Sequence, residues 1–348
     1  MQIKIGENII KNLRTYLRNH NVNNLYIITD DNVYRLYIDD LKKYIKDCTF
    51  TTYVICPGEE SKRIKIILSI YDNLIENNAN RDTMIISFGG GVVGDIAGFV
   101  ASTYKRGLEY IQIPTTLLAQ VDSSVGGKVG INYAGYKNII GSFYFPKEII
   151  IDAKYLKTLQ IRQIICGLGE ILKYGLIYDY NFFKFTSSNL DRIYGKDLNI
   201  FQTLIKQSVP IKEEIVSKDK YDKDLRKILN FGHTIGHSIE SYYHFSRFNH
   251  GEAVILGMMY ETSIARKLGL IDKEYFKEII MVLKDIVNPI EFDNDEIENL
   301  IDIMKNDKKN VNRNIVFILP VSRGKVDIFE SVDEKLIISS LKGDLFCL

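Results

Sequence analysis

The sequence predicts an α/β N-terminal domain built on a mostly parallel, Rossmann-like sheet, followed by a mainly α-helical domain. Three observations carry that expectation. Short apolar runs alternate with amphipathic helical stretches through the first half. A glycine-rich turn at residues 88–95 joins one such run to a helix. From about residue 155 a helical period takes over, and it holds four of the five histidines between positions 233 and 250.

Residues 25–29 read as a buried strand, and residues 33–45 as an amphipathic helix. A second strand, 50–55, ends at Pro57-Gly58, and helical periodicity runs over 63–75. The third apolar run, 84–88, stops at three glycines, and the fourth, 110–113, is closed by Pro114. Strands alternating with helices imply parallel pairing. Residues 164–177, 198–216, 225–242 and 250–268 then read as helices, and a β signal returns at 315–319. We place the domains at 1–155 and 156–348. Residues 146–158 contain no Pro- or Ser-rich tether, so the junction is expected to be packed.

The composition excludes several classes. With 348 residues, 46% of them hydrophobic, the chain can bury a sizeable core, and its net charge of +1 leaves no electrostatic footprint for nucleic acid. No apolar run approaches the roughly 20 residues of a membrane span. The N-terminal residues show no secretion signal, and the four cysteines are scattered without a CxxC pair. We expect a cytoplasmic protein with no nucleic-acid or membrane partner.

Gly89, Gly91 and Gly94 satisfy G-x-G-x-x-G between a strand and a helix. Glycines there let backbone approach a pyrophosphate, and the helix N-terminus offers free N–H groups. Glu109, about 20 residues on, begins the next strand rather than ending it, unlike the ribose-binding acid of the usual site. The turn is thus a variant nucleotide site or simply a tight turn. Thr115 and Thr116 follow the next strand, where ligands gather in open α/β sheets.

The segment 225–240 is the most informative. Read as one helix, it aligns Arg226, Asn230, His233 and His237 in a single polar stripe. Gly232 and Gly236 within it imply that something large approaches closely, since each costs roughly 1 kcal/mol in a helix interior. His233 and His237 at i, i+4 can face one metal. His250 stands just after a plausible cap, Asn249. The alternative is a set of satisfied core or surface histidines, the reading we give His20 and His244. The best further ligand is Glu170, whose apolar surroundings make an isolated acid costly unless it is paired or metal-bound. A surface pair with Lys173 is the alternative.

Asp122-Ser123-Ser124-Val125-Gly126-Gly127-Lys128 and Gly135-Tyr136-Lys137-Asn138 suit an anion held by lysine and backbone N–H groups. The spacing is not that of a P-loop, and a solvated loop is the alternative.

Six segments together resemble the dehydroquinate synthase family of sugar phosphate cyclases, in family order and spacing over nearly the whole chain. They are residues 89–95, residues 114–128, Lys137-Asn138, residues 170–175, residues 229–237 and His250-Gly251-Glu252-Ala253. The resemblance implies a lyase of the shikimate pathway. It would turn 3-deoxy-D-arabino-heptulosonate 7-phosphate into 3-dehydroquinate and phosphate by transient NAD-dependent oxidation, elimination, reduction and aldol closure.

It further implies NAD and zinc, or cobalt in zinc's place, as cofactors. Glu170, His233 and His250 would hold the metal, and His237 would contact substrate. With His237, the residues Lys128, Lys173, Asn138 and Arg226 would serve catalysis. Those five would also bind substrate, together with Asp122, Lys137, Lys212, Asn230 and Lys308, although the choice between Lys308 and Lys309 stays open. Arg106 would reach the phosphate from the second subunit of a homodimer. Asp30, Asn32, Gly58, Glu59, Lys62, Gly91, Val92, Val93, Gly94, Asp95, Thr115, Thr116, Tyr155, Leu156, Lys157 and Thr158 would line the NAD site, with Lys128 and Lys137. One departure is Gly135-Tyr136, where many members carry Leu-Gly. Another sugar phosphate cyclase, a metal-dependent polyol dehydrogenase and a non-catalytic zinc scaffold are the competing readings.

Overall fold

A computed structural model describes residues 1–222, 224–306 and 315–343. The chain divides into two compact units. The first comprises Met1–Leu159 and Gly195–Glu213, and the second comprises Gln160–Tyr194 and Glu214–Leu348.

In the first unit, β1 (Gln2–Gly6) and α1 (Asn12–Asn19) precede β2 (Asn24–Asp30), α2 (Asp31–Ile45), β3 (Thr49–Ile55) and α3 (Ile64–Glu76). β4 (Met84–Gly89), α4 (Gly91–Thr103) and β5 (Tyr110–Pro114) follow, then the hairpin β6 (Lys128–Tyr133)–β7 (Tyr136–Phe143) and β8 (Glu148–Asp152). Six strands pair in parallel in the order β1-β8-β5-β4-β2-β3.

The apolar runs are continuous because both sheet faces are covered. From β2, Tyr26 and Ile28 join Ile67, Ile70, Val93 and Ile96 on one side. Leu25 and Ile27 join Leu13, Leu17, Ile38 and Leu41 on the other. The chain runs outward from β2 to β3 and, in the opposite direction, from β4 through β5 to β8, so the sheet reverses between β2 and β4. The turn after β4 therefore sits at a topological switch point, the ligand-gathering position of such sheets. The apolar patterning of the sequence does not mark β1 or β8. β1 is a short, half-exposed strand at the sheet edge, and β8 lies within the stretch read as the domain junction.

The second unit begins with α5 (Ile161–Ile177), α6 (Tyr180–Ser187) and α7 (Leu190–Tyr194). Helix α8 (Leu198–Lys218) runs for most of its length in the first unit. Then come α9 (His233–Tyr242), α10 (His250–Lys267), α11 (Lys273–Lys284), α12 (Asn294–Lys305), the hairpin β9 (Phe317–Ser322)–β10 (Lys325–Phe329) and α13 (Glu334–Leu341). Helix α10 packs against α5, α9, α11 and β9, and is buried almost along its full length, as a helix at the centre of a core must be.

One expected helix is broken. Residues 225–242 do not form a single rod: Leu225–Asn230 is a 3-10 helix, Gly232 is left-handed at φ 78°, and α9 begins at His233. The stripe is split accordingly, with Arg226 and Asn230 before the break and His233 and His237 after it. A side chain at Gly232 would come within 2.7 Å of the Val254 carbonyl, and one at Gly236 within 2.8 Å of the Ala253 carbonyl. The close neighbour implied by the two glycines is thus the backbone of α10. Among the described residues no helix is long and apolar enough to cross a membrane.

Candidate functional site

Helices α5, α9 and α10 bring Glu170, His233 and His250 together. Glu170 Oε1 is buried and makes no hydrogen bond, yet it stands 3.3 Å from Nε2 of His233 and 3.3 Å from Nε2 of His250. Donors at the corners of a tetrahedron around zinc, with ligand bonds of about 2.0–2.2 Å, lie roughly 3.3–3.6 Å apart. An orphaned buried oxygen flanked by two imidazole nitrogens at that spacing fits a metal ion.

The ring orientations agree with that fit. Nδ1 of His233 donates to the Phe231 carbonyl at 3.0 Å, which leaves the Nε2 lone pair turned toward Glu170. The broken helix makes this bond possible, because Phe231 lies outside α9. Glu261 of α10 holds the break in place: its carboxylate accepts the Gly232 N–H at 2.6 Å and the Ile235 N–H at 3.2 Å. Asn249 caps α10 through a capping box with Glu252, fixing where His250 begins the helix.

The electrostatics call for positive charge. Glu170 and Lys173, at 1% and 2% exposure, form a buried ion pair rather than a surface one. Burial opposes ionisation of Glu170, but Lys173 and His233 outweigh it and hold the carboxyl well below its usual value. Burial dominates at His233 and pulls its pKa down. At His250 burial also acts downward, but the neighbouring Glu170 and Glu240 carboxylates overcome it and raise the pKa well above the histidine norm.

His237, half-exposed, lies on α9 with its ring centroid 5.1 Å from that of His233. Arg226 is buried on the 3-10 turn, its N–H bonded to Asp219 at 3.0 Å and its guanidinium donating to the Lys220 carbonyl at 3.4 Å. Asn230 closes that turn. Glu240 and Glu261 escaped the sequence reading. Glu240 follows His237 by three positions on the same helix, a faint signal, whereas Glu261 reaches the turn only through tertiary packing.

In the first unit, Asp30, the glycine turn at residues 89–91 and Thr115-Thr116 occupy the carboxyl ends of the adjacent strands β2, β4 and β5. Gly58, Glu59 and Lys62 follow β3, and Tyr155, Leu156, Lys157 and Thr158 follow β8. Asp30 also caps α2, accepting the Val33 N–H at 3.1 Å. Asn32 is exposed beyond it.

No side chain caps the N-terminus of α4, where a Cβ on Gly91 would stand 2.9 Å from Ser123 Oγ. Thr115 Oγ1 and Ser123 Oγ are buried without hydrogen-bond partners. This cradle of bare N–H groups and orphaned hydroxyls fits a dinucleotide pyrophosphate. Val93, Tyr155 and Leu156 bury their side chains in the core, so only their backbone is offered to a ligand. Val92 and Gly94 lie in the same first turn of α4.

Lys62 is buried, 2.6 Å from Asp95 and 3.6 Å from Glu59, and bonds the amide oxygen of Asn138. Asn132 ties this group together, donating to Glu59 at 2.9 Å and accepting the Asn138 N–H at 2.9 Å. Lys212 pairs with Asp122 at 2.8 Å. Lys128 begins β6 and Lys137 lies on β7. Arg106 is exposed in a turn where Lys105, Arg106 and Gly107 all take positive φ. Lys308 lies outside the described residues.

A glycine turn at a sheet switch point in one unit, and a buried carboxylate between two imidazoles in the other, mark the class of metal- and nucleotide-dependent enzymes. Within that class, the chain belongs to the 3-dehydroquinate synthase family. The family's N-terminal description, "3-dehydroquinate synthase N-terminal", matches residues 52–166, and "3-dehydroquinate synthase C-terminal" matches residues 167–310.

The chain is 43% identical over 324 residues to the 3-dehydroquinate synthase of Alkaliphilus metalliredigens, covering 93% of this chain and 90% of that protein. It is 44% identical over 341 residues to that of a Thermoanaerobacter species, covering 97% and 94%. A crystal structure of 2-deoxy-scyllo-inosose synthase, complexed with carbaglucose-6-phosphate, NAD+ and Co2+, superposes with a TM-score of 0.88 at 27% identity. That match covers 98% of this chain and 96% of the other.

Proposed function

We propose that this chain is a 3-dehydroquinate synthase, a lyase that converts 3-deoxy-D-arabino-heptulosonate 7-phosphate to 3-dehydroquinate and inorganic phosphate. The observation that carries the reading is the orphaned Glu170 oxygen between the Nε2 atoms of His233 and His250, in a chain of this family. Those three residues would hold zinc, or cobalt in its place. When bound, the metal supplies a Lewis acid for the hydroxyl being oxidised, and NAD supplies a hydride acceptor that later returns the hydride.

The chain's own residues do the rest. Lys173 keeps Glu170 ionised within the core, so the ligand set carries its negative charge. His237, half-exposed and next to His233, would touch substrate rather than complete the metal's ligands. Lys128, Lys137, Lys212, Arg226 and Lys308 offset the substrate's carboxylate and phosphate, and Asp122, Asn138 and Asn230 accept from or donate to its hydroxyls. The bare N–H groups opening α4 hold the pyrophosphate of the dinucleotide, with Asp30, Asn32, Gly58, Glu59, Lys62, Asp95, Thr115, Thr116, Lys157 and Thr158 around it. The protein works in the cytoplasm as a homodimer, with Arg106 reaching the phosphate of the neighbouring subunit's substrate.

The test is phosphate release from the heptulosonate phosphate with NAD+ and zinc present, followed alongside absorbance at the NADH band. Phosphate without net NADH supports the cyclase. NADH accumulating in step with turnover would mark a polyol dehydrogenase, and inertness toward this substrate would point to another cyclase. His233→Ala should abolish both bound zinc and phosphate release while leaving soluble protein.

A further inference from the structure

We propose that Glu240 is a positioning residue for His250. Its carboxylate takes the Nδ1–H of that imidazole and so fixes the ring and tautomer that turn Nε2 toward Glu170. The inference rests on the proposed metal triad and adds to it a residue that is not a ligand. Glu240 Oε2 lies 3.3 Å from His250 Nδ1, while His250 Nε2 lies 3.3 Å from Glu170 Oε1. One imidazole therefore spans two carboxylates, and one of them, Glu170, also faces His233.

The two histidines of the triad are held differently. His233 leans its Nδ1–H on a neutral backbone carbonyl. His250 leans on a carboxylate that is itself buried, at 5% exposure. A charged acceptor holds an N–H more tightly than a neutral one and makes the opposite nitrogen a stronger donor. His250 also needs it more: it is the first residue of α10, directly after the cap, and is partly exposed, so less packing holds its ring. The same carboxylate oxygen stands 3.9 Å from Nε2 of His237. Glu240 thus stands beside both a proposed metal ligand and the proposed substrate histidine.

Glu240, His237 and His250 also converge closely enough to suggest a cation site of their own, so the experiment must separate positioning from ligation. Zinc stoichiometry and affinity are measured by chelator competition on the full-length protein, for the parent, Glu240→Ala and Glu240→Gln. Each variant's zinc-free melting temperature is recorded beside them. The expectation is one zinc per chain throughout, with affinity falling about 10- to 100-fold in Glu240→Ala. Glu240→Gln should recover most of that loss, because the amide oxygen still accepts the Nδ1–H.

In zinc-loaded protein, the downfield Nδ1–H proton resonance of His250 should be present in the parent and displaced in Glu240→Ala. A purely structural role would lower the melting temperature and leave zinc affinity and that resonance alone, which would overturn the proposal. Two zinc ions per chain in the parent, falling to one in Glu240→Ala, would overturn it too, because Glu240 would then be a ligand. Failure of the triad itself reads differently: the parent would bind no zinc, or His233→Ala would keep it. Should Glu240→Ala not fold, the comparison of Glu240→Gln with the parent in affinity and resonance decides.

Discussion

Helix α10 can approach α9 only because position 257 lacks a side chain, and Gly257→Ala puts that to the test. A methyl group there would fall inside the contact radius of the Gly232 carbonyl oxygen and 2.8 Å from both the Gly232 carbonyl carbon and the Gly236 nitrogen. All three are backbone atoms, so no rotamer change relieves the clash. Contacts with backbone atoms settle near 3.5 Å, so the helices must part by about 1 Å.

Overpacking of this kind costs about 1–3 kcal/mol or more. Helix propensity works the other way, because alanine is better than glycine in a helix interior by roughly 1 kcal/mol. The two effects have opposite signs, so the outcome discriminates. We expect net destabilisation of about 2 kcal/mol, which in a unit of this size lowers the melting temperature by about 4–8 °C. Metal binding should suffer as well: His233 lies on α9 and His250 on α10, and ligand distances tolerate only about ±0.2 Å. Thermal melts with and without zinc, combined with chelator competition, read both effects. A variant that melts at or above the parent temperature with parental zinc affinity would refute the argument that this contact sets the triad's spacing.

Three further perturbations follow from the same geometry. Glu261→Ala strips the acceptor from the Gly232 and Ile235 N–H groups and should cost about 1–3 kcal/mol in urea denaturation, with weakened zinc binding; unchanged stability would deny Glu261 its part in holding the turn. Gly91→Ala narrows the turn that opens α4 toward Ser123 and should weaken NAD binding, by about tenfold in titration calorimetry, with zinc content unchanged; parental NAD affinity would remove the glycine turn from the nucleotide site. Arg226→Ala should weaken substrate binding far more than NAD binding, and equal loss of both would undo its placement.

The sequence made some of this legible and hid the rest for identifiable reasons. Strands β2, β4 and β5 stood out because both of their faces are buried, which turns alternation into an unbroken apolar run. β1 failed to stand out because its pattern, Gln2-Ile3-Lys4-Ile5-Gly6, is that of an edge strand only half covered. The helix predicted over residues 225–242 shows the limit of periodicity: spacing counts residues but cannot register that Gly232 turns left-handed and resets the helix at His233. Glu170 was found because an acid in an apolar pattern needs a partner. Lys62, buried against Asp95 some thirty positions away, and Glu261, bonded across two helices, carry no local sign of the company they keep.

The first unit is not finished when the chain first leaves it. Residues 160–194 belong to the second unit, and only afterwards does the chain return to supply residues 195–213, among them Lys212, the partner of Asp122. During synthesis, a ribosome that has released the whole six-stranded sheet has yet to deliver that lysine, and by then it has already extruded α5 with Glu170. Neither half can therefore be completed before the other has begun. Expressing residues 1–159 by themselves would yield a sheet whose Asp122 lacks its pairing with Lys212, and a split or circularly permuted gene must cut elsewhere than at the apparent joint.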